Sequence, residues 1–181
     1  MSEAVVANRY ADALFQLADE NNNAETLITE LAVVKDAFQA NKKLIQILNH
    51  PKISESDKMN MIDEVFGECR KDIIHTIKLL VTRHRIENII EIINQVTEIY
   101  NEANGIAVAN VYSVRELTET ERENIANSLK QQLKKKEVKL NNIIDPSVLG
   151  GLKIRVGNTI YDGTISGKLN QMRHNIGTSA I

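Results

Sequence analysis

Apolar residues recur at helical spacing through the first hundred residues and then switch to strict alternation. Over residues 1–104 the 3.6-residue period predicts helices near 3–20, 24–39, 42–48, 55–67, 71–83 and 86–103. Asn21-Asn22-Asn23 separates the first pair, and His50-Pro51 separates the third from the fourth, because these residues favour turns over helix interiors. Ser54 followed by Asp57 reads as a helix start, and Gly67 is the expected C-cap. Short connections make successive helices antiparallel neighbours, so this unit is predicted to be a six-helix bundle.

At Asn104-Gly105 the period changes. Ile106 to Val114 is β-branched and alternating, which predicts a strand. Thr118 and Glu121 form a T-x-x-E capping box before a helix carrying Ile125, Leu129 and Leu133, closed by Lys134-Lys135-Lys136. Val138 to Ile144 is a weaker strand ended by Asp145-Pro146. Leu152, Ile154 and Val156 then alternate with Lys153 and Arg155, Gly157-Asn158 offers a two-residue turn, and Thr159-Ile160-Tyr161 is the return strand. Asp162 is expected to cap a terminal helix whose apolar stripe is Ile165, Leu169, Met172 and Ile176. Gly151 and Gly163 are expected to hold conformations or close approaches that a side chain would obstruct. The predicted class is α+β: a helical domain 1–104, then a small α/β domain 105–181 with a β-hairpin and terminal helix.

Charge supports the division. Residues 1–104 hold 11 Lys+Arg against 17 Asp+Glu, and residues 105–181 hold 11 against 7, so the halves carry opposite net charge and suggest different partners. No run approaches the roughly 18 apolar residues that span a bilayer. The start, Met1-Ser2-Glu3-Ala4, has neither a basic signal region nor the Arg-rich character of a transit peptide. One cysteine, Cys69, excludes an intramolecular disulfide and fits a reducing compartment.

Reactive chemistry is sparse. Gly163-Thr164-Ile165-Ser166-Gly167-Lys168-Leu169 comes nearest to a phosphate-binding loop, but three residues instead of four separate its glycines and Leu169 replaces the hydroxyl that would reach magnesium. Asp162 also puts a negative charge where phosphates would sit. His50, His75, His84 and His174 stand apart, without the clustering that zinc requires. Arg70 could activate Cys69, yet no histidine lies beside it, so an inert thiol is expected. Arg83-His84-Arg85 and Lys134-Lys135-Lys136 fall at predicted helix ends, and a pI near 6.1 without tryptophan argues against a nucleic-acid surface. A nucleotide-using enzyme built on Gly163–Lys168 and a nucleic-acid-binding adaptor remain the alternatives to a protein-binding module.

What exceeds ordinary patterning is apolar breadth. On helix 1 Val6, Tyr10, Ala13, Leu14 and Leu17, continued by Ala7, Ala11, Phe15 and Ala18, span about 200°, where one core face needs little more than about 100°. Helix 71–83 behaves similarly through Ile73, Ile74, Ile77, Leu80 and Val81, with Leu79 opposite. Tyr10, Ala13, Leu14 and Leu17 with Ile77, Leu80 and Val81 are therefore expected to line a groove that receives a foreign helix.

Arg9-Tyr10-Ala11-Asp12-Ala13-Leu14-Phe15-Gln16-Leu17-Ala18 and Gly150 to Leu169 together resemble the delta subunit of bacterial F-type ATP synthase, whose mitochondrial counterpart is the oligomycin-sensitivity-conferring protein. The first stretch meets the pattern Arg-Tyr-Ala-x-Ala-Leu-Phe-x-Leu-Ala at every fixed position. The second matches Gly-Gly-x-x-Ile-x-Val-Gly-x-x-x-Tyr-Asp-Gly-Ser-x-x-Gly-x-Leu, with Thr164 for the serine and with Ser166 and Lys168 where many relatives carry arginine. The resemblance covers the whole chain. It implies a non-catalytic peripheral-stalk connector of the proton-translocating enzyme, at the cytoplasmic face of the bacterial membrane and touching it only through the complex. The helical unit would grip the N-terminal helices of the alpha subunits, and the second unit the C-terminal helix of the b subunit. No cofactor, metal or nucleic acid is implied.

Overall fold

The computed structural model describes residues 3–21 and 23–168. The chain divides into two compact units, Met1–Tyr100 and Asn101–Ile181. The first holds α1 (Glu3–Glu20), α2 (Ala24–Ala40), α3 (Lys42–Asn49), α4 (Glu55–Phe66), α5 (Lys71–Thr82) and most of α6 (Ile89–Asn104). The helix expected from residue 86 opens instead as a 3-10 turn, Ile86–Asn88, ahead of α6. His84 turns the chain there at φ +53°, and Ile86 is wholly buried, so the tighter turn keeps that side chain inside.

One apolar cluster joins these helices. Ala7, Ala11, Leu14 and Ala18 of α1 meet Leu27, Leu31, Val34 and Phe38 of α2 and the isoleucines of α5 and α6. Alanine at three of the four α1 positions removes bulk where α1 meets the rest of the cluster. Phe38 and Phe66 stack with centroids 5.3 Å apart. Each fully buried leucine, isoleucine or phenylalanine contributes about 1.5–3 kcal/mol. Ser54 Oγ accepts from the Asp57 amide at 3.2 Å and starts α4 as expected. Gly67 is the C-cap of α4 as expected, in right-handed space at φ −61°, and a Cβ there would run into the Asp63 carbonyl.

The second unit is a four-stranded mixed sheet with α7 (Glu119–Leu133): β1 (Ile106–Ser113), β2 (Glu137–Ile144), β3 (Lys153–Val156) and β4 (Thr159–Asp162), in the order β2-β1-β3-β4. The fold is α+β. Strand β1 pairs parallel to β2 through the α7 crossover and antiparallel to β3, and β3–β4 is the hairpin. Period-2 geometry sends Ala107, Ala109, Val111 and Ser113 to the buried face, while Ile106, Val108, Asn110 and Tyr112 stay half-exposed on the other. Asn142 fixes the parallel register by donating to Ser113 Oγ (2.7 Å) and the Val111 carbonyl (3.1 Å) and accepting from the Leu117 amide (2.8 Å).

The Thr118–Glu121 box forms as its spacing predicts, and Lys134 closes α7 in left-handed space at φ +53°. Arg115 donates to both Glu121 oxygens at 2.8 and 3.0 Å, and the Thr118 amide donates at 2.9 Å; these bonds hold the Glu121 carboxyl down at about 2. A carboxylate lowered on folding stabilises above its unfolded pKa, and that contribution disappears as pH falls through the folded value. The box should therefore survive to about pH 3, and an NMR titration of Glu121 should give a midpoint near 2. A midpoint at 4.5 would show the box open in solution.

Candidate partner-binding surfaces

On α1 the covered and open sides separate cleanly. Leu14, and with it Ile77, Leu80 and Val81 of α5, are at most 4% exposed and belong to the core cluster. Leu14, Ile77 and Leu80 are covered by this chain's own side chains, whereas Val81, 3% exposed, also lines a cavity of about 280 Å³ with Pro51, Ile53, Lys58 and His84. Breadth of apolar arc reports how many neighbours a helix has, and a helix flanked on two sides fills a broad arc internally. Tyr10 lies half-buried at the cluster's edge, while Ala13 and Leu17 are exposed, Leu17 by 48%. Tyr10, Ala13 and Leu17 follow i, i+3, i+7 spacing and so share one strip of α1. The exposed large apolar residue of α5 is Leu79, which periodicity had set opposite the others.

At the start of the last helix the geometry is tight. Gly151 sits at φ +79°, and a Cβ there would run into the Gly163 carbonyl. Gly157 makes the hairpin turn at φ +55° with open space around it, so its requirement is conformational, not steric. Gly163 has no such conformation; its amide donates to the Leu152 carbonyl at 2.9 Å and its carbonyl is what Gly151 approaches. Residues 165–168 form a helical turn whose capping oxygen belongs to Thr164, 2% exposed, which accepts from the Gly167 amide at 2.9 Å. Asp162 Oδ1 instead accepts from the Thr164 amide (2.9 Å) and hydroxyl (2.7 Å), so it holds the cap in place and is not itself the cap. The expected stripe beyond Ile165, at Leu169, Met172 and Ile176, lies outside the described residues.

Sequence reasoning missed a cleft of about 610 Å³ in this unit, walled by Val114, Leu117, Ile125, Leu149 and Leu152 and edged by the Arg115–Glu121 pair. Leu149 is 67% exposed at φ +59°. Its only signal in sequence was an apolar residue ahead of two glycines.

The reactive candidates resolve simply. Burial, then Glu30 and Glu68, push the Cys69 thiol up, while Arg70 is committed to Asp72 at 2.9 Å and the Asn23 carbonyl at 3.2 Å. The thiol is thus less nucleophilic than a free one. The phosphate-loop candidate already holds an anion: Thr164's amide and hydroxyl bind the Asp162 carboxylate, which also lies 2.8 Å from where a Gly167 Cβ would stand. Hydrogen bonds from Thr164 lower the Asp162 carboxyl below its usual range, so it stays charged at neutral pH. Among the described residues no three His, Cys, Asp or Glu could hold a metal ion, and no helix is long and apolar enough to cross a membrane.

What these surfaces define is a two-unit α+β protein with apolar contact strips and no assembled reactive centre among the described residues. The family described as ATP synthase delta (OSCP) subunit matches residues 6–176. An ATP synthase subunit delta of Oceanobacillus iheyensis is 46% identical over 176 residues, covering 97% of both chains. That of Anoxybacillus flavithermus is 40% identical, covering 97% of this chain and 99% of its own. A chain in the cryo-EM structure of the Toxoplasma gondii mitochondrial ATP synthase hexamer shares the fold, with a TM-score of 0.77 at 16% identity over 94% of this chain and 96% of that one. The chain belongs to the ATP synthase delta (OSCP) subunit family, and is a non-catalytic subunit of an F-type ATP synthase.

Proposed function

We propose that the chain is the peripheral-stalk connector of its synthase, acting at the cytoplasmic face of a bacterial membrane and reaching it only through the complex. The first unit acts as a six-helix bundle, domain 1–104, that grips alpha-subunit N-terminal helices. The second, domain 105–181, holds the C-terminal helix of the b subunit. Rotation exerts torque on the catalytic head, so the head needs a static tether, and a tether needs apolar helix-in-groove contact instead of reactive groups.

The observation that carries this reading is the Tyr10–Ala13–Leu17 strip, left at the surface of a helix whose neighbouring positions are in the core. Leu14 anchors α1, and Ile77, Leu80 and Val81 anchor α5, in the core cluster. Titration calorimetry with an alpha-subunit N-terminal peptide and with the soluble part of the b subunit tests it, together with limited proteolysis near Asn104-Gly105. The full chain should bind both probes, and the N-terminal fragment released by cleavage should keep alpha-peptide binding alone. An intact chain that ignores the alpha peptide would refute the connector reading.

A further inference from the structure

We infer that the cavity between the start of α4 and the end of α5 binds a small oxyanion that keeps a proton, inorganic phosphate. Its volume is about 280 Å³, below the roughly 300–1,000 Å³ of pockets that take larger organic ligands. Ile53 and Val81 give it apolar wall, and Glu55, Lys58, Thr82 and His84 give it polar groups. Both helices belong to the first unit, so the site lies within one compact body.

Lys58 carries the argument. Among the described residues three polar or charged side chains are buried: Lys58, at 6% exposure, Ser113 and Thr164. The Ser113 and Thr164 hydroxyls both donate and accept within the chain. The Lys58 ammonium has no hydrogen bond or ion pair among these residues. Every side-chain nitrogen or oxygen sealed from solvent there has a partner, so this ammonium is not sealed and opens to the cavity that Lys58 lines. A cation so nearly desolvated and unpaired costs free energy, which an anion in the cavity would offset. Nearby carboxylates on α4 are committed elsewhere: Asp57 accepts from the Ser54 hydroxyl at 2.6 Å, and Asp63 pairs with Lys78.

Glu55 decides which anion fits. Its carboxylate accepts from the Thr82 hydroxyl at 3.0 Å, lines the same cavity and forms no ion pair with Lys58. An anion there has to satisfy a cation and a carboxylate at once. Near neutral pH inorganic phosphate keeps at least one proton, which it can donate to Glu55 while its other oxygens accept from Lys58. Sulfate has no proton to give and would meet Glu55 with repulsion alone. His84 adds an exposed imidazole, held at φ +53° by its own amide bond to the Val81 carbonyl and the Arg85 amide bond to Leu80.

The test is titration calorimetry of the full chain with inorganic phosphate at neutral pH and constant ionic strength. Phosphate should saturate one site, and sodium sulfate should bind at least tenfold more weakly. Lys58→Met keeps a buried stem and removes the charge, so it should lose phosphate at least tenfold without losing thermal stability. His84→Gly suits the left-handed backbone and should weaken phosphate with the fold intact. Glu55→Gln, at an exposed position, should narrow the gap between phosphate and sulfate, which a merely structural change would not do. No saturation by about 10 mM phosphate overturns the site. Phosphate binding unchanged in Lys58→Met, or in His84→Gly and Glu55→Gln should that variant not fold, places the ion elsewhere and overturns the assignment. Sulfate that binds the parent as well as phosphate does overturns recognition through the proton, and with it the proposal.

Discussion

Leu17→Asp should weaken binding of an alpha-subunit N-terminal peptide at least tenfold and leave the fold intact. Leu17 is 48% exposed, so a carboxylate there stays solvated in the free protein, and surface changes of this kind usually shift stability within about 0.5 kcal/mol. In the complex the same carboxylate would lose water against an apolar helix face, and an unpaired charge desolvated in this way costs on the order of several kcal/mol. Ala13→Asp, at another exposed α1 position, should behave alike. Leu80→Ala gives the opposite signature. Leu80 is wholly buried, and truncation leaves a cavity that should cost about 2–5 kcal/mol of stability. Its effect on peptide affinity, measured where the variant is still folded, should be small. Calorimetry and thermal melts on the three variants read both quantities. Leu17→Asp binding as the parent does would remove α1 from the interface.

That contrast also shows what could be read from the chain before its structure. Helix positions were legible because a 3.6-residue apolar period survives from Val6 to Ile99, and the bounds of α1 and α3 differ by a residue at most. Strands were legible for the same reason at period 2, together with capping residues such as Thr118 and Glu121. Coverage was not. Leu14 and Leu17 share an arc, yet one is 4% and the other 48% exposed, because which flank of a helix meets a neighbour is set by residues far away in sequence. The parallel β1–β2 pairing is equally non-local, registered by Asn142 against Ser113, 29 residues apart. At the last helix the error was local. Asp162 and Thr164 are both good cap residues two positions apart, and hydrogen bonding, not propensity, decides which one faces the free amide.

Gly151→Ala and Thr164→Val should each loosen the C-terminal unit, by different physics. In Gly151→Ala the new Cβ meets the Gly163 carbonyl while the backbone stays at φ +79°, so strain and collision act together and at least about 1–3 kcal/mol should be lost. The loop cannot step aside freely, because the Gly163 amide is bonded to the Leu152 carbonyl and the Ile165 amide to the Gly150 carbonyl. Thr164→Val keeps the shape but removes a buried oxygen that accepts from Gly167 and donates to Asp162. Loss of such a cap costs about 0.5–2 kcal/mol. Thr164→Ser restores that oxygen and should recover most of the loss, whereas Asp162→Ala, removing only the support, should cost about 1 kcal/mol or less. Hydrogen exchange of the β3–β4 amides reads these changes within the second unit and leaves α1–α6 as an internal control. ATP added to the parent should protect none of these amides, since the Asp162 carboxylate occupies the position a phosphate would need. Protection by ATP that Lys168→Ala abolishes would instead make this turn a nucleotide site.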